Sequence, residues 1–225
     1  MRGINSSLKK KIYNEILDGI NKGYFPLDQF LNEGELTRKY NVSKGTIREA
    51  LIELCNEKIL RSIPRVGYQI VQLTEKNIKE AIELRYILET IGLKKAVRVI
   101  EESTLDSLDS LNNEYEEHMK KNSLAIDQHW EYNIRFHLIL NSFAGNSHMN
   151  EVLNDTLKLI RRAYVQLYSN TGRDIYISTD LSRHIEIVES LRKKEFETAM
   201  NLLRNDILFI KGALYVASEE LYEVP

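Results

Sequence analysis

The sequence predicts a mainly α protein in two parts: an N-terminal winged helix-turn-helix with a small two-stranded wing over residues 1–73, and an antiparallel bundle of about six helices over residues 74–225. The first part rests on the stretch VSKGTIREAL, Val42 to Leu51, which reads as a turn and a helix after the short helix Glu33 to Tyr40. It rests also on the hairpin pattern ILRSIPRVGYQIV that follows, residues 59–71. The second part rests on texture. Between Thr74 and Val224 there is no proline, the only glycines are Gly92, Gly145, Gly172 and Gly212, and apolar residues recur at helical spacing.

Each element has its own signal. Leu8, Ile12, Ile16 and Ile20 recur every four residues, with Tyr13 and Leu17 alongside, so the chain opens with an amphipathic helix that Gly23 and Pro26 end. Residues 22–31 read as a loop into the second helix. In the third helix Ile47, Leu51 and Leu54 form the core-facing stripe, and Lys44, Thr46 and Arg48 are placed on the exposed face. Cys55 lies on the apolar side and reads as a buried thiol. Ile59 to Ile63 and Tyr68 to Val71 flank Pro64-Arg65-Val66-Gly67 as the two strands of a wing, and all predicted strand content lies there. In the second part Ile78, Ile82, Arg85, Leu88 and Ile91 mark one helical stripe, and Leu105, Leu108, Leu111 and Tyr115 the next. Polar breaks near 101–103, 120–123, 145–147, 172–174 and 193–195 separate the helices. Their short connections make antiparallel neighbours.

Composition bounds the function. No apolar run approaches a membrane span, and residues 1–20 lack the apolar core of a signal peptide, so no membrane association is expected. A single cysteine excludes a disulfide within the chain, which fits the cytoplasm. The net charge of −2 divides unevenly. Residues 1–73 hold 12 Lys/Arg and 8 Asp/Glu, a net of +4, and residues 74–225 hold 19 and 25, a net of −6. A basic head on an acidic body suits a head that docks on phosphates.

An exposed helix of this kind can lie in the major groove of DNA, whose width matches an α-helix. Lys44, Thr46 and Arg48 are the expected contacts to bases or adjacent phosphates. Ser43 caps the helix, whose positive end favours phosphate, and Gly45 lets the backbone approach closely. Arg65 in the wing and Arg38 or Lys39 are candidates for backbone contacts. The alternative for Arg48 is an ion pair within the domain, to Glu53 or to neighbours of Glu49, and for Lys39 a solvated surface charge.

With these residues in place, the N-terminal part resembles the winged-helix domain of GntR-type bacterial transcription regulators. Leu31, Glu33, Leu36, Val42, Ser43, Ile47, Arg48, Glu49, Ala50, Leu51, Leu54, Pro64 and Gly67 match the family pattern over about residues 8–72, and Gly67 joins the DNA-binding set on that basis. Departures are Lys44 where the family usually has Arg, Gly45 for a common Thr, Gly34 where a DNA-contacting Arg is frequent, and Val66 at a wing position often basic or polar. Arg pairs bidentately with guanine whereas Lys acts as a point charge, so the binding mode carries over and the operator sequence does not. The C-terminal part resembles the all-helical FCD effector domain of the FadR-type branch over about residues 74–220. Glu83 to Glu89 matches its opening helix, Asn133 to His137 its Asp-x-x-Phe-His motif, and His184-Ile185 with Ala199-Met200 to Ile207 its last two helices.

That second resemblance implies a metal and an effector. In such regulators an Asp and three His hold a divalent ion that meets the carboxylate of a small organic acid. Here the set is Asn133, His137, His184 and Asp206, with Asn in place of the first acid and Asp in place of the third His. Asn133 and His137, four apart, share a helix face. Zn²⁺, Ni²⁺ or Mn²⁺ is the expected cofactor, and the extra oxygen donors shift preference toward Mn²⁺ or Mg²⁺. The alternative at each histidine is a satisfied core side chain. Arg85, inside an apolar stripe, is the candidate partner of a ligand carboxylate, its alternative being a buried ion pair with a bundle glutamate. Arg161, Tyr164 and Tyr168 are candidate pocket residues, although aromatics at helical spacing are more often core. His129 is taken as a surface residue. His118 and His148 are placed in or near loops.

The expected function is a cytoplasmic DNA-binding transcription regulator, a repressor rather than an activator. It acts as a homodimer on a palindromic double-stranded operator and responds to a small carboxylate metabolite seated on a divalent metal. Two rivals remain: a regulator whose body only dimerises or binds a metal-free ligand, and a metal-dependent enzyme, which would leave the DNA-binding head unexplained.

Overall fold

The structure is a computed structural model that describes residues 2–121, 126–168 and 181–222, with side chains over 8–121, 128–167 and 181–209. The chain divides into two compact units, 1–73 and 74–225.

In the first unit, helix α1 (Arg2–Asn21) is followed by strand β1 (Phe30–Leu31), helix α2 (Glu33–Tyr40), helix α3 (Lys44–Asn56), and strands β2 (Leu60–Ile63) and β3 (Gly67–Ile70). The predicted stripe of α1 is the one it buries, through Ile12, Ile16 and Ile20. These pack with Leu36 of α2, Ile47, Ala50, Leu51 and Leu54 of α3, and Leu60 and Ile70 of the sheet in one apolar core. Both short helices start on side-chain caps. Asn32 Oδ1 accepts from the Gly34 N–H at 2.8 Å, and Ser43 Oγ accepts from the Thr46 N–H at 3.2 Å. Asn41 closes α2 in the left-handed region, with φ 51°.

The sheet corrects one expectation. Residues 22–31 are not loop throughout: Phe30 and Leu31 form β1, which pairs antiparallel with β3, Phe30 opposite Gln69 and Leu31 opposite Tyr68. The strand order is β1-β3-β2, so β3 is central. Gly67 sits at φ +147°, where a Cβ would lie 2.7 Å from the Leu31 carbonyl oxygen. Its glycine is therefore required by the protein's own backbone. At the wing tip the Val66 N–H donates to the Ile63 carbonyl at 3.1 Å. Arg65 there takes φ +65°, a conformation that costs a non-glycine residue about 1 kcal/mol.

In the second unit six helices are present among the described residues: α4 (Glu75–Ala96), α5 (Glu102–Lys120), α6 (Ile126–Ser142), α7 (Ser147–Tyr168), α8 (Leu181–Arg192) and α9 (Phe196–Tyr222). The predicted break at 172–174 lies outside those residues. Thr74 and Asn77 form a reciprocal capping box at the start of α4. This helix packs against α6, α7 and α9, while α8 lies between α5 and α9. Its buried stripe is Ile78, Ala81, Ile82, Arg85, Glu89, Gly92, Leu93 and Ala96. Ile91, expected in that stripe, is 45% exposed instead. At Gly92 a Cβ would overlap Asn141 Oδ1, so α4 and α6 approach closely there. No helix among the described residues is long and apolar enough to cross a membrane.

Candidate functional site

On the head, α3 presents Lys44, Gly45 and Arg48 to the outside. Thr46 is a correction: it is buried, with 5% exposure, and its hydroxyl lies 2.9 Å from Ser43 Oγ. It belongs to the inner face with Ala50 and Leu54, at steps of four. Gly45 is open, a Cβ there meeting nothing nearer than Ser43 Oγ at 3.8 Å. Arg38 is exposed. The Lys39 ammonium lies over the rings of Phe25 and Tyr40, 4.9 and 5.4 Å from their centroids.

Arg48 has a partner that helix spacing does not suggest. Its Nε and Nη2 both donate at 2.9 Å to the two carboxylate oxygens of Glu33, the first residue of α2. The partner is not Glu53, which pairs with Lys9. Lys44 Nζ lies 3.5 Å from the same carboxylate, and the Tyr68 hydroxyl donates to it at 3.2 Å from β3. Hydrogen bonding from Arg48 overcomes partial burial and lowers the Glu33 carboxyl to about 2. Glu33 thus joins α2, α3 and the wing.

In the body, four helices bring polar side chains into the core. Helix α4 supplies Arg85 and Glu89, one turn apart, α6 Asn133 and His137, α8 His184, and α9 Asp206. All six are buried. Arg85 Nε donates to Glu89 Oε1 at 2.6 Å, while its Nη2 lies 2.7 Å from His137 Nε2 and 3.3 Å from Asp206 Oδ2. Glu89 Oε2 meets His137 Nδ1 at 2.6 Å. Helical spacing alone could have found Glu89, four residues after Arg85, but sequence reasoning gave it no role. Arg85 is therefore engaged by protein carboxylates, as the buried-ion-pair alternative holds.

His137 Nε2 is also 3.1 Å from Asp206 Oδ2, so it stands between a donor and an acceptor. Protonated, it bonds Asp206; neutral, it accepts from Arg85. Burial lowers the affinity of His137 for a proton, but the Glu89 charge and the bonds to both carboxylates outweigh it and the net shift is upward. Burial likewise opposes ionisation of Glu89 and Asp206. It is overcome at Glu89 by the charges of His137 and Arg85, and at Asp206 chiefly by the His137 hydrogen bond, so both carboxyls stay below their ordinary range. His184 is different: burial pulls it down to about 3, making it a neutral imidazole. It stacks on Phe136 with centroids 3.8 Å apart.

One nitrogen or oxygen each from His137, His184 and Asp206 lies within 4.8 Å of the others. Among the described residues, three buried atoms of the cluster have no hydrogen-bond partner: Asn133 Oδ1, His184 Nε2 and Arg85 Nη1. Asn133 and His184 also line a cavity of about 10 Å³ with Asn112, Tyr115 and Tyr132, a space for one water-sized species. A neutral imidazole and an amide oxygen without partners suit a divalent cation beside Asp206. Against that, Arg85 already holds His137 Nε2 and Asp206 Oδ2. The donor set fits a cation once the guanidinium moves aside.

The remaining expected pocket residues lie elsewhere. Tyr164 is buried in the core, its ring edge-on to Trp130 at 5.5 Å. Arg161 is half-buried on α7, and the side chain of Tyr168 lies outside the described residues. One histidine, His129, is corrected. His129 is half-buried with its Nδ1 2.5 Å from the Tyr115 hydroxyl, and His118 sits in the last turn of α5.

A winged helix-turn-helix head followed by an all-helical body is an architecture of DNA-binding transcription regulators. The sequence matches the bacterial regulatory proteins of the gntR family over residues 8–70 and the FCD domain over residues 80–208, and the chain belongs to that family. It is 30% identical over 191 residues to the HTH-type transcriptional regulator YdhC of Bacillus subtilis, covering 84% of this chain and 83% of that protein. It is 26% identical over 160 residues to the gluconate operon transcriptional repressor of the same organism, covering 70% of this chain and 63% of the repressor. Among solved structures, Escherichia coli McbR/YncC superposes with a TM-score of 0.74 at 18% identity, over 92% of this chain and 97% of that one, a likeness of fold. The chain is thus a DNA-binding transcription regulator and not an enzyme.

Proposed function

We propose that this regulator binds a palindromic operator as a homodimer, and that a small carboxylate metabolite, held with a divalent cation in the α4–α6–α8–α9 core, controls that binding. The observation that carries the effector half is the pattern of unpartnered atoms. Buried polar atoms without partners are rare and call for a ligand or ion. Here Asn133 Oδ1 and His184 Nε2 can accept a cation, while Arg85 Nη1 can only donate, which suits an anion. Asn133, His137, His184 and Asp206 would hold the metal, whose contribution is a fixed positive charge for the acid's carboxylate. Arg85 would turn from Asp206 and His137 toward that carboxylate. The cavity is smaller than any organic acid, so binding must displace the surrounding side chains, and that displacement is the signal that reaches the DNA-binding heads.

Dimerisation is supported by α4, which carries Leu84, Ile87 and Ile91 on its outer face at 39%, 46% and 45% exposure. An apolar stripe of this kind on a two-fold axis would be self-complementary. A dimer presents two α3 helices, hence two half-sites with fixed spacing. Lys44 and Arg48 would meet the groove or flanking phosphates, and Arg65 at the strained wing tip, with Arg38 and Lys39, the backbone.

The metal-free rival is favoured by one observation, the engagement of His137 Nε2 and Asp206 Oδ2 by Arg85. With His137 protonated and bonded to Asp206, the charges of Arg85, Glu89, His137 and Asp206 also balance without an ion. Elemental analysis of protein purified without chelators, with thermal melts in Mn²⁺, Zn²⁺ or Ni²⁺, decides between them. A melting temperature raised by metal in wild type but not in His184→Ala supports the metal; no bound metal and no shift removes it. Release of a selected operator duplex by a panel of small organic acids tests the effector. Ile87→Glu should convert a dimer to a monomer in analytical ultracentrifugation.

A further inference from the structure

We infer that Glu33 is a positioning residue for DNA recognition: by gripping one edge of the Arg48 guanidinium it aims the other edge outward, and so sets how sharply the protein tells its operator from other DNA. This rests on the proposal that Arg48 meets DNA. A guanidinium has five N–H donors. Glu33 takes the Nε hydrogen and one on Nη2, each at 2.9 Å, which leaves the Nη1–Nη2 edge. That edge is the fork that pairs with guanine O6/N7 or a phosphate. The Arg48 side chain remains 54% exposed, whereas that of Glu33 is only 17% exposed. The carboxylate is thus the fixed member of the pair.

Both carboxylate oxygens of Glu33 are engaged. Oε1 accepts from Arg48 Nε and from the Tyr68 hydroxyl on β3; Oε2 accepts from Arg48 Nη2 and lies near Lys44 Nζ. Glu33 also sits in the first turn of α2, where its negative charge is favoured by the helix. A free Arg side chain samples many rotamers, and ordering it on DNA costs affinity. An Arg already held does not incur that cost. The carboxylate also repels phosphate, so it weakens indiscriminate binding while sharpening specific binding.

The test compares affinity for a duplex selected from a random pool by the wild-type protein with affinity for a scrambled duplex, in wild type, Glu33→Gln, Arg48→Ala and the double variant. Glu33→Gln is expected to lower the ratio of specific to non-specific affinity at least tenfold. Its affinity for the scrambled duplex should be unchanged or higher, and its thermal melt within a few degrees of wild type. In the Arg48→Ala background the same change should have no further effect on the ratio, because Glu33 acts through Arg48. Tyr68→Phe, which removes one bond to Glu33, should lower the ratio by a few-fold. An unchanged ratio in Glu33→Gln, with Arg48→Ala still losing the operator, overturns the inference and leaves the recognition helix intact. Normal operator binding by Arg48→Ala removes the recognition-helix proposal itself.

Discussion

The two parts of this chain use the same chemistry, an arginine held by a glutamate, in opposite settings. On the head, Arg48 and Glu33 come from different helices and the arginine is more than half exposed. In the body, Arg85 and Glu89 are one turn apart on α4, at 0% and 2% side-chain exposure. A pair whose arginine is largely solvated contributes little to stability, because water takes over much of the contact when the pair opens. Removing one partner of a buried pair costs about 3–5 kcal/mol, because the other charge is stranded. The head pair therefore adds little to stability, and the free edge of its guanidinium stays open to solvent. The body pair exchanges partners only when an incoming ligand supplies equivalent charge.

The sharpest test of that contrast is stability. Glu89→Ala should lower the unfolding free energy by about 3 kcal/mol or more, and Glu33→Ala by no more than about 1 kcal/mol. Equal shifts in chemical denaturation would erase the distinction. Next in size, Gly92→Ala should cost about 1–3 kcal/mol, because its methyl overlaps Asn141 Oδ1 where α4 meets α6. A neutral result would mean that Asn141 swings aside. A smaller effect follows from acid. The Glu33 carboxyl is lowered to about 2 from an ordinary 4.5, so its contribution is present above pH 4.5 and fades as the pH falls toward 2. The stability gap between wild type and Glu33→Gln should narrow over that window, and a constant gap would show that Glu33 is not ion-paired in solution. Smallest of all, Lys39→Ala should weaken binding to every duplex alike and lower the salt slope by about one. An unchanged salt slope would mean that its ammonium stays on Phe25 and Tyr40.

What the sequence revealed followed distance along the chain. The α2 and α3 helices and the Ser43 cap depend on residues within four positions of one another, and local patterns carry such information. The expected exposed position of Thr46 is contradicted by its own spacing, four residues from Ala50 and eight from Leu54. A polar residue looks exposed until its hydroxyl is seen bonded to the cap. Ile91 was misplaced because α4 is apolar on two sides, one burying Ile78, Ile82 and Leu93, the other bearing Leu84 and Ile87. The link from Glu33 to Arg48 spans 15 residues, and no periodicity encodes it. Strand β1 was invisible because two residues cannot alternate; it exists as a partner for β3. At the buried cluster, motif positions located the two histidines, Asn133 and Asp206. That Arg85 would meet His137 and Asp206 depended on how α4 lies against α6 and α9.

The glycine at the base of the wing has a consequence for how this head can diversify. Position 67 faces the carbonyl of Leu31 so closely that no larger residue fits, and that carbonyl belongs to the segment entering α2. The hairpin is thereby moored to the start of the same helix that carries Glu33. The wing's outermost residues, Arg65 and Val66, are thus free to vary without disturbing the fold, while the hinge that would let the whole wing swing is locked at position 67.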